Sequence, residues 1–213
     1  MQGNLSESEI LRIFEECGVL INGHFILRSG LHSTGYLEKG HLLARTLVLK
    51  RLCHAMAELF VDDHVETVVA PAVAGVALSQ WIAHHLTILT GCEVFAVFAD
   101  KKDSGGFEIK RDFDKYIRGR RTLVAEDIVT KGGSVRDAIE ITRKAKGDVV
   151  GACAIADRGG ITASDLGIQR FETLIRLNLP TYNAGLSECP ACAAGVAIDT
   201  LHGHGKVLVP NYL

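Results

Sequence analysis

Residues 122–135 read TLVAEDIVTKGGSV. A short apolar run, with a strand at 123–125, ends in two adjacent carboxylates, Glu126 and Asp127, and then in a Thr-Lys-Gly-Gly-Ser turn. From 134 to 146, Val135, Ala138, Ile139 and Thr142 recur at helical spacing. Strand, glycine-rich turn and helix together bind phosphate. Glycines let the backbone approach the ligand, and N–H groups at the helix start point toward it. Thr130 and Ser134 add hydroxyl donors. Carboxylates repel phosphate but accept hydrogen bonds from sugar hydroxyls. The stretch therefore suits a ribose 5-phosphate, with its diol over Glu126 and Asp127 and its phosphate over Thr130, Lys131, Gly132, Gly133 and Ser134. It matches neither G-x-x-x-x-G-K-[ST] nor G-x-G-x-x-G.

The rest of the chain fits an α/β frame around this stretch. Its 213 residues, 47% hydrophobic and 23% charged, suffice for one domain with a full core. The net charge of −2 gives no global attraction for nucleic acid. No apolar run reaches a membrane span, and MQGNLSESEI lacks the pattern of a signal peptide, so a cytoplasmic protein is expected. Ser6 and Glu9 form a capping-box pattern ahead of a first helix that Gly18 can end. Residues 23–40 read as short strands and loops, and 42–60 as one amphipathic helix. Strands are expected at 67–70, 93–98, 149–156 and 173–177, with a helix from the PAVAGV loop to about residue 89. Helix and strand alternate, which predicts a mainly parallel sheet flanked by helices. Residues 100–121 carry eight Lys or Arg and three Gly and read as a mobile loop, placed at about 100–118. Four of the six cysteines sit in apolar or helical patterns and read as buried thiols.

With those residues in view, TLVAEDIVTKGGS resembles the phosphoribosyl pyrophosphate (PRPP) motif of the type I phosphoribosyltransferases. Lys131 stands where that family often has Thr or Ala. ECGVLINGHFILRSGLHSTGYLEKG resembles the N-terminal segment of the orotate branch, VVAPAVAGVALSQWIA its pyrophosphate loop and following helix, and AIADRGG its orotate-contacting strand end. LPTYNAGLSECPAC resembles the tail of a bacterial and archaeal subgroup with Cys-Pro-x-Cys. The resemblance implies the type I phosphoribosyltransferase fold: a core at about 41–179 and a small hood from about 18–40 and 180–213.

It also implies roles. PRPP would be held by Glu126, Asp127, Ile128, Val129 and the 130–134 turn, with Ala72, Val73, Ala74 and Gly75 at the pyrophosphate. Small residues there permit close backbone approach. Lys101, Lys102 and Asp127 would serve catalysis. The base would meet Arg158, Arg28, Ser29 and Gly30; an anionic base asks for a planar guanidinium fork, which Arg158 can supply. Mg²⁺ would be held by PRPP rather than directly by the protein. A homodimer with shared active sites, PRPP and orotate as small-molecule partners, and no nucleic acid or membrane partner are expected. The family's loop commonly has Arg where this chain has Asp100, and a His that this loop lacks. Two alternatives stand beside the orotate reading: a transferase for a purine base, and a non-enzymatic PRPP-sensing regulator. Cys189 and Cys192 have the spacing of half a zinc site, and also that of a plain turn; the nine histidines show no metal-ligand spacing.

Overall fold

The computed structural model describes residues 5–27 and 29–203. The chain divides into two compact units, one of residues 1–10 and 45–177, the other of 11–44 and 178–213. The first helix, α1 (Glu7–Glu16), starts as its sequence dictates. The Ser6 N–H donates to Glu9 Oε2 at 2.9 Å, and the Glu9 N–H donates to Ser6 Oγ at 3.3 Å.

The larger unit contains a six-stranded sheet, order β5-β4-β3-β6-β7-β8. Its strands are β3 (Thr67–Pro71), β4 (Phe95–Lys101), β5 (Phe107–Glu108), β6 (Arg121–Val129), β7 (Asp148–Asp157) and β8 (Phe171–Arg176). All neighbours are parallel except the short β4–β5 pair. Every residue of β3 is buried, as a parallel strand covered on both faces requires. Three helices cover the sheet: α3 (Thr46–Glu58), α4 (Ala74–Thr90) and α5 (Gly133–Lys144). Val135, Ala138 and Ile139 of α5 join Val124, Ala152 and Ala154 in one apolar cluster. Burial of each valine or isoleucine side chain there contributes about 1.5–3 kcal/mol, and of each alanine methyl about 0.8 kcal/mol. Cys53 on α3 and Cys153 on β7 interact inside the core; burial pushes the Cys53 thiol up to about 12 and raises Cys153 further.

The smaller unit holds an antiparallel sheet of β1 (Leu20–Ile26), β2 (His32–Leu37) and β9 (Thr181–Tyr182), order β1-β2-β9. The register of β1 against β2 shifts between Asn22 and Phe25. It also holds α2 (Gly40–Ala44) and the four-residue α6 (Pro190–Ala193).

One expectation is corrected. The single helix expected at 42–60 is broken at Arg45, whose φ of −100° and ψ of 86° are not helical. Leu42 is buried in the smaller unit and Leu49, Cys53 and Met56 in the larger, so one apolar stripe serves two cores. In the segment expected to form a mobile loop, β4 turns into β5, and a 3-10 helix follows at Phe113–Tyr116.

His85 on α4 is 4% exposed, and its pKa is lowered to about 4, first by burial and then by the neighbouring His54 and His84. The unfolded chain binds a proton there near the ordinary value of 6.5, so folding loses stability as pH falls from 6.5 toward 4. Between pH 7 and pH 5 this group should cost on the order of 1–2 kcal/mol. Urea denaturation at both pH values should show His85→Phe losing less stability over that interval than the parent chain. Equal losses would assign the dependence to other groups.

Candidate active site

Open α/β sheets bind ligands outside the carboxyl ends of their strands. Four adjacent strands, β4, β3, β6 and β7, release at that edge the segments singled out in the sequence. β4 ends in Asp100 and Lys101, β3 leads into residues 72–75, β6 into 130–134, and β7 into Arg158. At the usual strand spacing these span roughly 15 Å, the scale of a sugar phosphate with its leaving group and a small base.

The phosphate turn is built from backbone. Glu126, Ile128, Val129, Thr130, Gly132, Gly133 and Ser134 line one small pocket of about 40 Å³ with Val135. Gly132 caps α5 with φ +71°, a conformation that glycine adopts without steric cost. Lys131 is exposed and outside this lining; its carbonyl accepts a hydrogen bond from Arg136 Nη2, and Arg136 Nη1 donates to the Asp165 carbonyl at 3.3 Å. Arg136 thus braces the turn, a role its place on an outer helix face did not announce. Glu126 and Asp127 are 7% and 2% exposed. As neighbours on a strand they alternate between faces, and Glu126 is the one that faces the phosphate pocket. Glu126 Oε1 accepts the Asp127 N–H at 3.0 Å, and Asp127 Oδ1 accepts the Ile128 N–H at 2.6 Å.

At the end of β3, Ala72 donates its N–H to the Ala99 carbonyl at 2.8 Å, and the Ala72–Val73 peptide is cis. Val73 is 85% exposed. Gly75 opens α4 against β3: a Cβ there would lie 2.6 Å from the Ala70 carbonyl carbon. At the end of β7, the Arg158 N–H donates to the Val129 carbonyl at 2.8 Å, and the Gly159 N–H to Asp157 Oδ1 at 2.9 Å. Gly159 was not singled out in the sequence, yet a Cβ there would sit 1.6 Å from the Thr130 carbonyl oxygen. The paired glycines after Arg158 in AIADRGG were the available signal.

Lys101 and Lys102 are exposed on the β4–β5 hairpin, where the Lys102 N–H donates to the Gly106 carbonyl at 3.0 Å. Asp100 pairs with Arg111, which holds the carboxyl below the usual carboxylate range. A larger cleft of about 550 Å³ includes Arg121 and Asp148 at the starts of β6 and β7, the opposite sheet edge from the phosphate turn. In the smaller unit, Ser29 and Gly30 are exposed in the turn between β1 and β2; Arg28 lies outside the described residues. Cys189 and Cys192 flank Pro190 and Ala191 at α6, and two histidines, His24 and His32, lie beside them. Among the described residues no helix is long and apolar enough to cross a membrane.

Gly159→Ala should push the phosphate turn out of place and cost about 2–4 kcal/mol of stability, against about 1–2 kcal/mol for Gly132→Ala. Thermal unfolding of both variants checks the order; a smaller loss for Gly159→Ala would contradict the close approach.

A sequence model of the phosphoribosyl transferase domain matches residues 40–168. An orotate phosphoribosyltransferase of Caldicellulosiruptor saccharolyticus is 35% identical over 194 residues, 91% of this chain and 95% of that protein. One of Thermus thermophilus is 38% identical over 191 residues, 90% and 98% of the two chains. In fold, the chain is similar to crystal structures of orotate phosphoribosyltransferases from Aeropyrum pernix and Mycobacterium tuberculosis H37Rv. The first has a TM-score of 0.65 at 21% identity over 79% of this chain and 93% of that one; the second has 0.64 at 22% over 80% and 96%. Built on a phosphate turn, a carboxylate pair and a mainly parallel sheet, the chain belongs to the phosphoribosyltransferase family, among the orotate phosphoribosyltransferases.

Proposed function

We propose that the chain transfers the phosphoribosyl group of PRPP reversibly to orotate, giving orotidine 5′-monophosphate and pyrophosphate, with Mg²⁺ bound together with PRPP. The observation that carries this reading is the order β4-β3-β6-β7, which sets a basic hairpin, a small-residue loop, a phosphate turn and an arginine side by side at one sheet edge.

Each element has a task in this reaction. N–H groups of the 130–134 turn hold the 5′-phosphate, and Glu126 and Asp127 hold the ribose diol. The backbone of residues 72–75 receives pyrophosphate. Breaking the bond at the anomeric carbon develops positive charge on the sugar and negative charge on the leaving group. Positioning and electrostatics therefore suffice, with no covalent nucleophile. Lys101 and Lys102 supply cationic charge toward the leaving group, and Arg158 forms the planar fork to the orotate carboxylate. The buried Glu126 and Asp127 carboxylates suit an edge where a hard cation arrives on substrate phosphates rather than on direct protein ligands. When bound, Mg²⁺ would neutralise part of the pyrophosphate charge. The reading includes a cytoplasmic homodimer with the basic hairpin acting on the neighbouring subunit's site, as the family resemblance implies; sedimentation equilibrium should then give twice the chain mass.

Orotate absorbance should fall on mixing the chain with orotate, PRPP and Mg²⁺. Asp127→Asn and Lys101→Ala should each lower kcat by about 10²–10³. Wild-type turnover in either variant would remove that residue's role, and consumption of hypoxanthine or xanthine in place of orotate would reassign the acceptor.

A further inference from the structure

Among the described residues, the regular structure in the C-terminal segment of the smaller unit is short. β9 has two residues and α6 four, too short to be stable by themselves. Yet Cys189 and Ala191 are buried at 1% and 5% exposure. Around them lie His24 of β1, His32 of β2 and Cys192, with one ligand atom from each of the four residues all within 4.8 Å of one another. His24 and His32 are 3% and 5% exposed.

The chemistry of this cluster is specific. His24 Nδ1 lies 2.7 Å from the Val196 carbonyl oxygen. A carbonyl only accepts, so Nδ1 carries the proton and the neutral ring presents its Nε2 lone pair to the cluster. That atom lies 3.8 Å from Cys189 Sγ and 3.6 Å from Cys192 Sγ, and Cys192 Sγ lies 3.3 Å from His32 Nδ1. Zn–N bonds of about 2.0–2.1 Å and Zn–S bonds of about 2.3 Å set tetrahedral edges of roughly 3.3–3.8 Å. The three sulfur–nitrogen distances fit those edges. His24 Nε2 and His32 Nδ1, at 2.7 Å, stand at hydrogen-bond distance and would open by roughly half an ångström around an ion. The β1 register shift between Asn22 and Phe25 spans His24, and bulges of this kind re-aim side chains.

We propose that His24, His32, Cys189 and Cys192 form a closed, tetrahedral zinc site that staples the β1–β2 hairpin to the Cys-Pro-Ala-Cys tail. Two sulfurs and two imidazoles select zinc over the hard cation of the catalytic edge. Binding takes Zn²⁺ and two thiols to a neutral complex and releases two protons, so no net charge is buried. All four positions are protein ligands, which makes the site structural. It links His24 to Cys189 and Cys192, 165 and 168 positions further along the sequence.

The full-length protein, purified without chelator under reducing conditions, should contain one zinc per chain by elemental analysis. Zinc-edge X-ray absorption should report two sulfur and two nitrogen neighbours. The Cys189→Ser, Cys192→Ser double variant should lose most of the zinc. If that variant does not fold, Co²⁺ added to chelator-stripped parent protein should give tetrahedral d–d bands with thiolate charge transfer, and adding Zn²⁺ should abolish them and raise Tm. Three results would overturn the proposal: a metal-free protein that gains no Tm from added Zn²⁺, a Cys189–Cys192 disulfide in the native mass, or stoichiometric zinc retained by the double variant. Orotate turnover is no part of the readout, so this test stands apart from that of the proposed reaction.

Discussion

The candidate catalytic edge depends on how far the β6–β7 pairing runs. The parallel register persists to Val129 opposite Asp157, and the Arg158 N–H then bonds the Val129 carbonyl at 2.8 Å. Past that point the two segments come so close that Gly159 has no room for a Cβ against Thr130. The phosphate turn and the turn carrying Arg158 are therefore one backbone assembly, joined without intervening side chains. Arg136 braces the same assembly from α5 through the Lys131 carbonyl. A site whose task is to position charges gains from such fixed backbone, because the geometry is set before the ligand arrives.

What was legible in the sequence was local chemistry. The stretch 122–135 contains its own strand, turn and helix start, and the structure has them as β6, the Gly132 cap and α5, except that β6 runs on past Ala125 through Glu126 and Asp127 to Val129. The capping box at Ser6 is local in the same sense. What was not legible depended on partners distant in the chain. The break at Arg45 cannot be read from a continuous apolar stripe, because the stripe does not say that Leu42 and Leu49 enter different cores. The histidines near Cys189 and Cys192 show no metal spacing along the chain. They come from two strands of a hairpin, where residues that are diagonal neighbours share a face regardless of sequence interval.

The segment after residue 100 shows the same limit applied to charge. In the sequence, Asp100 stands where the family commonly has Arg, and Lys101 and Lys102 are the cations expected at the leaving group, with Lys110 and Arg111 further along the same segment. The fold separates them. Arg111 is bound to Asp100 and lies 4.9 Å over the Phe98 ring, and Lys110 pairs with Glu108 at 3.1 Å. Lys101 and Lys102 have no ion-pair partner among the described residues and are exposed. A cation already paired offers an incoming anion less, since part of its field is spent and the existing bond must be broken. Asp100 therefore acts on the hairpin in a way its residue type alone conceals. It holds Arg111 against Phe98, while the two adjacent lysines stand exposed with their charge uncommitted to any ion pair among the described residues.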